Sequence, residues 1–234
     1  MIYYHDLPLS EDILKALDEL KIEYVFQPIF YPDGKTIYAH EALMRPCGMN
    51  VTELIRIYQE QDRLHVLEVA TFFGATQAFL MRGYKEKLSV NSFPCEIFTE
   101  EEVNAYIDYY GRDKTALIIE ILEYPRFVEE IARVKRKVAD ISSNLIAIDD
   151  FGSGLNDYSI IDATQPDIVK IDRSMISNVD SDPGKQEACR KIIERVHGEK
   201  KLIVAEGIET ADEFQCMKDL GADLFQGYYL AMPR

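Results

Sequence analysis

Carboxylates and amides recur in this 234-residue chain at one kind of place, the C-terminal end of a short apolar run. Glu41 and Arg45, Asn91, Glu120 and Glu123, Asp149 and Asp150, Lys170, Glu206 and Glu209, and Gln226 all stand there. One polar residue at such an end means little, because strands commonly finish that way. Seven ends doing so suggest a shared destination. Gathered together, so many acids would repel one another, and relief comes from protonation, from pairing with bases or from hard cations. Only Lys170 and Arg45 are at hand as bases. Oxygen donors from Asp, Glu and an Asn amide suit Mg²⁺ or Mn²⁺ and are the wrong set for a Cys/His zinc site. The adjacent Asp149 and Asp150 suit two ions about 3.5–4 Å apart if one carboxylate bridges, which is the arrangement that activates water and steadies a leaving oxygen in phosphodiester hydrolysis. The residues therefore point to metal-dependent phosphoryl chemistry.

These side chains meet only if the runs are strands of one closed sheet. Apolar spacing predicts an opening helix over 11–20 and then runs at 22–30 and 36–44, split by Pro32-Asp33-Gly34. A connection that short joins antiparallel strands, since a parallel crossover needs a dozen or more residues. Further runs at 87–91, 116–121, 145–149, 168–171, 202–206 and 223–226 bring the total to eight, with helical patterns between most of them. Thr99 with Glu102 and Thr210 with Glu213 have capping-box spacing, Pro125 marks a helix start, and residues 155–166 hold only a short helix. The expectation is an α/β fold, a TIM-like (β/α)8 barrel whose first strand is antiparallel, with the seven polar ends at its C-terminal mouth. Alternation puts Glu41, Leu43 and Arg45 on one face and His40 on the other, as a packing or surface residue. Arg45 then either grips a phosphate or closes the barrel end by pairing with Glu41, and the sequence leaves both open.

Length and composition fit one compact domain spanning 1–234, in which 1–9 form a short lead and 47% of the residues are hydrophobic. No run approaches the ~20 apolar residues of a membrane span, and the first residues lack a secretory pattern, so a cytoplasmic protein with no membrane partner is expected. A net charge of −15 argues against a nucleic-acid polymer as partner. The basic run Arg133, Lys135, Arg136 and Lys137 reads as a solvated helix end. Cys47, Cys95, Cys189 and Cys216 have no paired spacing and read as reduced structural thiols. Most aromatic residues fall at core spacing, with Tyr228 and Tyr229 as candidates for a role near the last strand. No phosphate-binding Gly loop, nucleophile elbow or His-based zinc motif is present.

The same residues, in order, resemble a known family, the EAL domains, which are cyclic di-GMP-specific phosphodiesterases. The match begins at Gln27-Pro28-Ile29 and runs through Glu41-Ala42-Leu43-Met44-Arg45, Asn91, Glu120-Ile121-Leu122-Glu123 and Asp149-Asp150-Phe151-Gly152-Ser153-Gly154. It continues with Lys170-Ile171-Asp172, Ala205-Glu206-Gly207-Ile208-Glu209-Thr210 and Gln226-Gly227-Tyr228. The resemblance implies that Glu41, Asn91, Glu120 and Asp149 hold one Mg²⁺ or Mn²⁺ and that Asp149, Asp150 and Glu206 hold a second. It implies that Lys170 orients or polarises the attacking water, that Arg45 contacts a substrate phosphate, and that Gln27, Leu43 and Gln226 lie on the substrate side. Glu209 would support the site from nearby, and Glu123 would anchor the loop after Asp150. The family fold, a barrel with a reversed first strand, agrees with the hairpin.

Three stretches depart from the family pattern: Leu155-Asn156-Asp157-Tyr158, Leu122 in place of a threonine, and Ser92-Phe93 after the asparagine in place of a Leu-Ser pair. None removes an implied ligand, which favours an active hydrolase making linear pGpG over a non-catalytic cyclic di-GMP receptor working through a protein partner. A metal enzyme with another substrate is opposed only by the resemblance. The barrel uses nearly every residue, so control is expected through a homodimer, a regulatory protein partner or a further portion of the protein.

Overall fold

A computed structural model describes residues 7–111, 117–152 and 158–234, in which eight strands close into a barrel in chain order. β1 (Ile22–Phe30) runs antiparallel to β2 (Ile37–Pro46) on one side and to β8 (Leu224–Phe225) on the other. From β2, pairing is parallel through β3 (Lys87–Ser92), β4 (Leu117–Ile121), β5 (Leu145–Phe151), β6 (Ile168–Ile171), β7 (Leu202–Ala205) and β8. The reversal follows from the expected turn. Asp33 accepts the backbone N–H groups of Lys35 and Thr36 and the Thr36 hydroxyl, folding the chain back too sharply for a crossover.

A period of two along the strands explains why the barrel is dry below and polar at its mouth. Ile29, Ala39, Ile118, Ala147, Ile168, Val204 and Leu224, one from each of seven strands, form a buried apolar layer of their own. Two residues nearer the mouth on those strands come Gln27, Glu41, Glu120, Asp149, Lys170, Glu206 and Gln226. Side chains two apart share a face, so the second set must also look inward. β3 supplies the fully buried Ser89, which donates to a Glu120 oxygen, and then Asn91.

Helices fill the connections: α1 (Glu11–Asp18), α2 (Val51–Glu60), α3 (Leu64–Met81), α4 (Glu100–Tyr110), α5 (Glu129–Ser142), α6 (Tyr158–Thr164), α7 (Arg173–Ile176), α8 (Pro183–Gly198) and α9 (Ala211–Leu220). Both capping boxes form, at Thr99 for α4 and Thr210 for α9. Pro125 does not start a helix; it sits in a bend, and α5 begins at Glu129. The expectation that no run has the makings of a membrane span is also corrected. α3 is long and apolar enough by composition, and 78% of it is buried in the fold, where it packs on β1, β2 and β3.

The basic run is not a solvated helix end. It lies in the middle of α5, where Ala132, Lys135 and Ala139 fall at helical spacing on the buried stripe, leaving Lys135 6% exposed. Arg136, on the same helix, pairs with Asp167 at 2.6 Å and Asp140 at 2.7 Å. Of the departing stretches, Leu155 to Asp157 lie outside the described residues, as do Ser153 and Gly154. All four cysteines are unpaired.

Candidate metal centre

Lys170 stands at the middle of the polar layer. Its Nζ is 2.7 Å from Glu120 Oε2, 2.7 Å from Glu206 Oε1, 3.0 Å from Asp149 Oδ1 and 3.6 Å from Glu41 Oε2. One ammonium therefore faces four carboxylates, and the balance is visible in the titration of Glu120 and Glu206. Burial raises the Glu120 carboxyl to about 8, with the pull of Lys170 partly offset by the charges of Glu41 and Asp149. Glu206 is held well above the usual carboxylate range, by burial and then by Asp149, Glu41 and Glu120 acting against Lys170. Burial alone would lower Lys170, but the surrounding carboxylates outweigh it and keep the ammonium charged well past its ordinary value.

Asp149 and Asp150 should point to opposite faces of a regular strand. They do not, because the β5–β6 register slips between Ile148 and Phe151 and Asp150 takes a φ of 52°, a left-handed conformation that aspartate tolerates better than most residues. Asp149, Asp150 and Glu206 consequently bring carboxylate oxygens to within 4.8 Å of one another. Burial and the Asp149 charge push the Asp150 carboxyl up to about 7.

Glu41 is held between two amides, with Gln226 Nε2 donating to Oε2 at 2.7 Å and Asn91 Nδ2 to Oε1 at 3.4 Å. Their NH₂ groups being so directed, Asn91 Oδ1 and Gln226 Oε1 are buried with no hydrogen-bond partner among the described residues. Leaving such an acceptor unsatisfied costs about 1–3 kcal/mol, so an orphaned oxygen beside a surplus of negative charge marks a place for a cation. Donors that are all oxygen, an excess of carboxylate and a waiting amide oxygen fit a hard divalent ion. The acidic cluster can hold a metal.

A cavity of about 300 Å³ opens above this centre, lined by Gln27, Glu41, Asp150, Glu206, Gln226 and Tyr228 among others. A larger one, about 420 Å³, lies outside the barrel against α4 and α5 and has no carboxylate in its described wall, so the chemistry belongs to the smaller. Gln27 is buried, opposite Glu41 in the β1–β2 register, and donates to the Ala231 carbonyl. Leu43 is half-buried two residues beyond Glu41, and Arg45 is exposed at the rim. The Arg45–Glu41 ion pair does not form: the guanidinium donates to the Met44 carbonyl at 2.9 Å, and among the described residues it meets no carboxylate. Glu123 is near enough for its charge to act on Asp150. His40 is buried and stacks on Tyr84, confirming a packing role.

Glu209 lines the cavity but is not one of the four carboxylates around Lys170. It pairs with Arg173 at 2.9 Å, and Arg173 also pairs with Glu213 at 2.8 Å. Arg173 lines the cavity and went unnoticed in the sequence, although its place directly after Lys170-Ile171-Asp172 was a signal. Its chain lies across Gly207, where any Cβ would meet Arg173 Cδ at 2.5 Å. Gly227 is equally confined: a Cβ there would fall 2.1 Å from the Ile208 carbonyl oxygen, in the loop crossing that sets Gln226 beside Glu41.

Known proteins resemble this chain in sequence and in fold. The family model described as EAL domain matches residues 10–233. The chain is 29% identical over 251 residues to cyclic di-GMP phosphodiesterase TpdA of Vibrio parahaemolyticus, a match covering 97% of this chain and 43% of that protein. Against cyclic di-GMP phosphodiesterase PdeL of Escherichia coli K12 the identity is 26%, covering 99% of this chain and 67% of that one. This chain thus spans less than half of the first relative's length. A standalone EAL protein from Vibrio cholerae O395, solved in a c-di-GMP-bound form, superposes with a TM-score of 0.80 at 25% identity, covering 92% of this chain and 93% of that one. A family match over residues 10–233, nearly the whole chain, shows that the chain belongs to the EAL domain family.

Proposed function

We propose that this chain is a metal-dependent phosphodiesterase that opens cyclic di-GMP to linear pGpG, lowering the level of that bacterial second messenger. The observation that carries the reading is the centre itself, where Lys170 lies among four carboxylates and the buried Asn91 oxygen has no partner among the described residues. Glu41, Asn91, Glu120 and Asp149 would hold one Mg²⁺ or Mn²⁺, and Asp149, Asp150 and Glu206 a second. Bound ions lower the pKa of a water and take up charge developing on the phosphate.

The chain's own residues do the rest. Lys170, held among Glu120, Glu206 and Asp149, is the charge that would orient or polarise the attacking water once bound ions draw those carboxylates to themselves. Arg45, exposed near the end of β2 and meeting no carboxylate among the described residues, would take a phosphate oxygen through a charge-assisted hydrogen bond. Gln27, Leu43 and Gln226 line the substrate side. Glu209 acts through Arg173, and Glu123 steadies the turn after Asp150. The reduced state of the four thiols supports a cytoplasmic setting.

The test is incubation with cyclic di-GMP and Mg²⁺ or Mn²⁺, with products separated by chromatography. Formation of pGpG, abolished by chelation, is expected. Tight binding with no product over hours would make the protein a receptor instead.

A further inference from the structure

Behind the mouth lies a buried ion pair that the proposed chemistry does not use. Glu68 of α3 and Lys135 of α5, both almost fully buried, meet at 2.8 Å. Lys135 Nζ donates also to Ser92 Oγ and, at 2.9 Å, to the Phe93 carbonyl. Glu68 accepts the Ser92 hydroxyl at 2.6 Å and the Phe93 N–H at 2.9 Å. The three donors of the ammonium are thus all spent, and apart from the pair itself every bond closes on the two residues directly after Asn91.

The position of these bonds is informative. Pairing between β2 and β3 stops at Ala42 with Val90, so on that edge the ladder gives out before Ser92 and Phe93. On the other edge β4 continues alongside, pairing Asn91 with Glu120 and Ser92 with Ile121, and Leu122 donates to the Ser92 carbonyl. Glu68 and Lys135 take the Ser92 hydroxyl and both the N–H and the C=O of Phe93, whose carbonyl also accepts the Glu96 N–H at 3.2 Å. The Asn91 amide has one long hydrogen bond of its own, at 3.4 Å, so its aim depends on where the backbone is held. Stability alone does not call for ions here, because taking two charges out of water is costly and well-packed apolar residues often serve as well. A pair that ends on both sides of one residue's backbone supplies direction. Ser92, a departure from the family pattern, is the side chain that both partners grip.

We infer that Glu68, Ser92 and Lys135 are positioning residues for Asn91, holding the end of β3 so that the Asn91 oxygen faces the metal centre. This rests on Asn91 being a ligand, and the experiment separates the two claims. Mn²⁺ binding is measured by calorimetry, without substrate, for the parent, Asn91→Ala, the double variant Glu68→Leu/Lys135→Met, and the three changes combined. The apolar double variant avoids stranding a lone buried charge. Its Mn²⁺ affinity should fall by about tenfold, the usual scale for residues that orient metal ligands. Asn91→Ala should lose at least as much, and the combination should be no weaker than Asn91→Ala alone.

Parent-like affinity in the double variant, or a loss that adds in full to that of Asn91→Ala, overturns the inference. Parent-like affinity in Asn91→Ala overturns the ligand assignment instead. Should the double variant fail to melt cooperatively, Ser92→Ala, which leaves the ion pair in place, carries the same comparison. A loss of about threefold that vanishes in the Asn91→Ala background supports positioning. No loss refutes it.

Discussion

Lys170→Met should turn the centre from a self-neutralised cluster into one that needs metal to stay folded. The ammonium touches three carboxylates at 2.7–3.0 Å. At an effective dielectric of about 20, each contact is worth roughly 6 kcal/mol before costs. Desolvation of the buried ions and repulsion among the acids consume most of that, and removing one partner of a buried pair costs about 3–5 kcal/mol in practice. In a chain of this size each kcal/mol moves the melting temperature by about 2–4 °C, so the variant in EDTA should melt some 6–20 °C below the parent. Methionine keeps the length and apolar bulk of the stem, leaving the charge as the main change.

Divalent ions should reverse much of that loss. In the parent, an entering ion competes with an ammonium that already contacts its ligands, whereas in Lys170→Met that competitor is gone. Ligand at 100 times its dissociation constant stabilises a fold by about 2.7 kcal/mol, and a lower constant raises the gain. Differential scanning calorimetry with EDTA and then with millimolar Mn²⁺ should therefore show a larger metal-induced rise in the variant than in the parent, while its turnover falls by about 10² or more. If the variant melts with the parent in EDTA, or gains less from Mn²⁺, Lys170 is not the charge that holds the empty cluster together.

Asp150→Asn should lose nearly all turnover across a Mn²⁺ titration while melting close to the parent, because the amide keeps the shape but weakens the three-carboxylate group with Asp149 and Glu206; near-normal activity would remove Asp150 from the metal ligands. Arg45→Ala should bind cyclic di-GMP about tenfold or more weakly in Ca²⁺ calorimetry, as a charge-assisted contact is worth about 1.5–3 kcal/mol. Its melting temperature should hardly change, since in the parent the guanidinium donates to a neighbouring carbonyl at the rim; unchanged affinity would dismiss Arg45 as a phosphate ligand. His65 bonds Glu102 at 2.8 Å and lies 3.5 Å from Glu96, and these hydrogen bonds raise its pKa from 6.5 to about 10. A raised folded pKa stabilises fully below 6.5 and fades as pH climbs toward 10, so the melting gap between the parent and His65→Gln should be wide at pH 6 and nearly closed at pH 10. A gap independent of pH would refute this account.

Features that repeat with a period or close within a few residues were legible in the sequence. The antiparallel β1 followed from three turn residues, and the polar ring followed from polar residues standing at the C-terminal ends of the apolar runs. Conformations and partnerships that local pattern does not encode escaped it. Alternation predicts divergence for Asp149 and Asp150, and only the left-handed Asp150 in a register slip brings them together. Lys135 looked like one more solvated cation because its sequence neighbours are basic, while its partner stands 67 residues away.

A signal was nonetheless present in the other half of that pair. Glu68 is the only acid in the 18-residue α3, a helix apolar on every side, and a carboxylate so placed has to find a cation or lose its charge. The useful question about such a residue is which base the fold can bring to it. Among the bases of α5, Lys135 is the one that shares the buried stripe with Ala132 and Ala139. In the barrel α3 packs on β3 and α5 on β5, with β4 between them, and the long side chains of Glu68 and Lys135 bridge that gap to meet at the end of β3, beside Asn91. A lone buried charge thus constrains its distant partner through the same alternation and helical spacing that place the metal ligands.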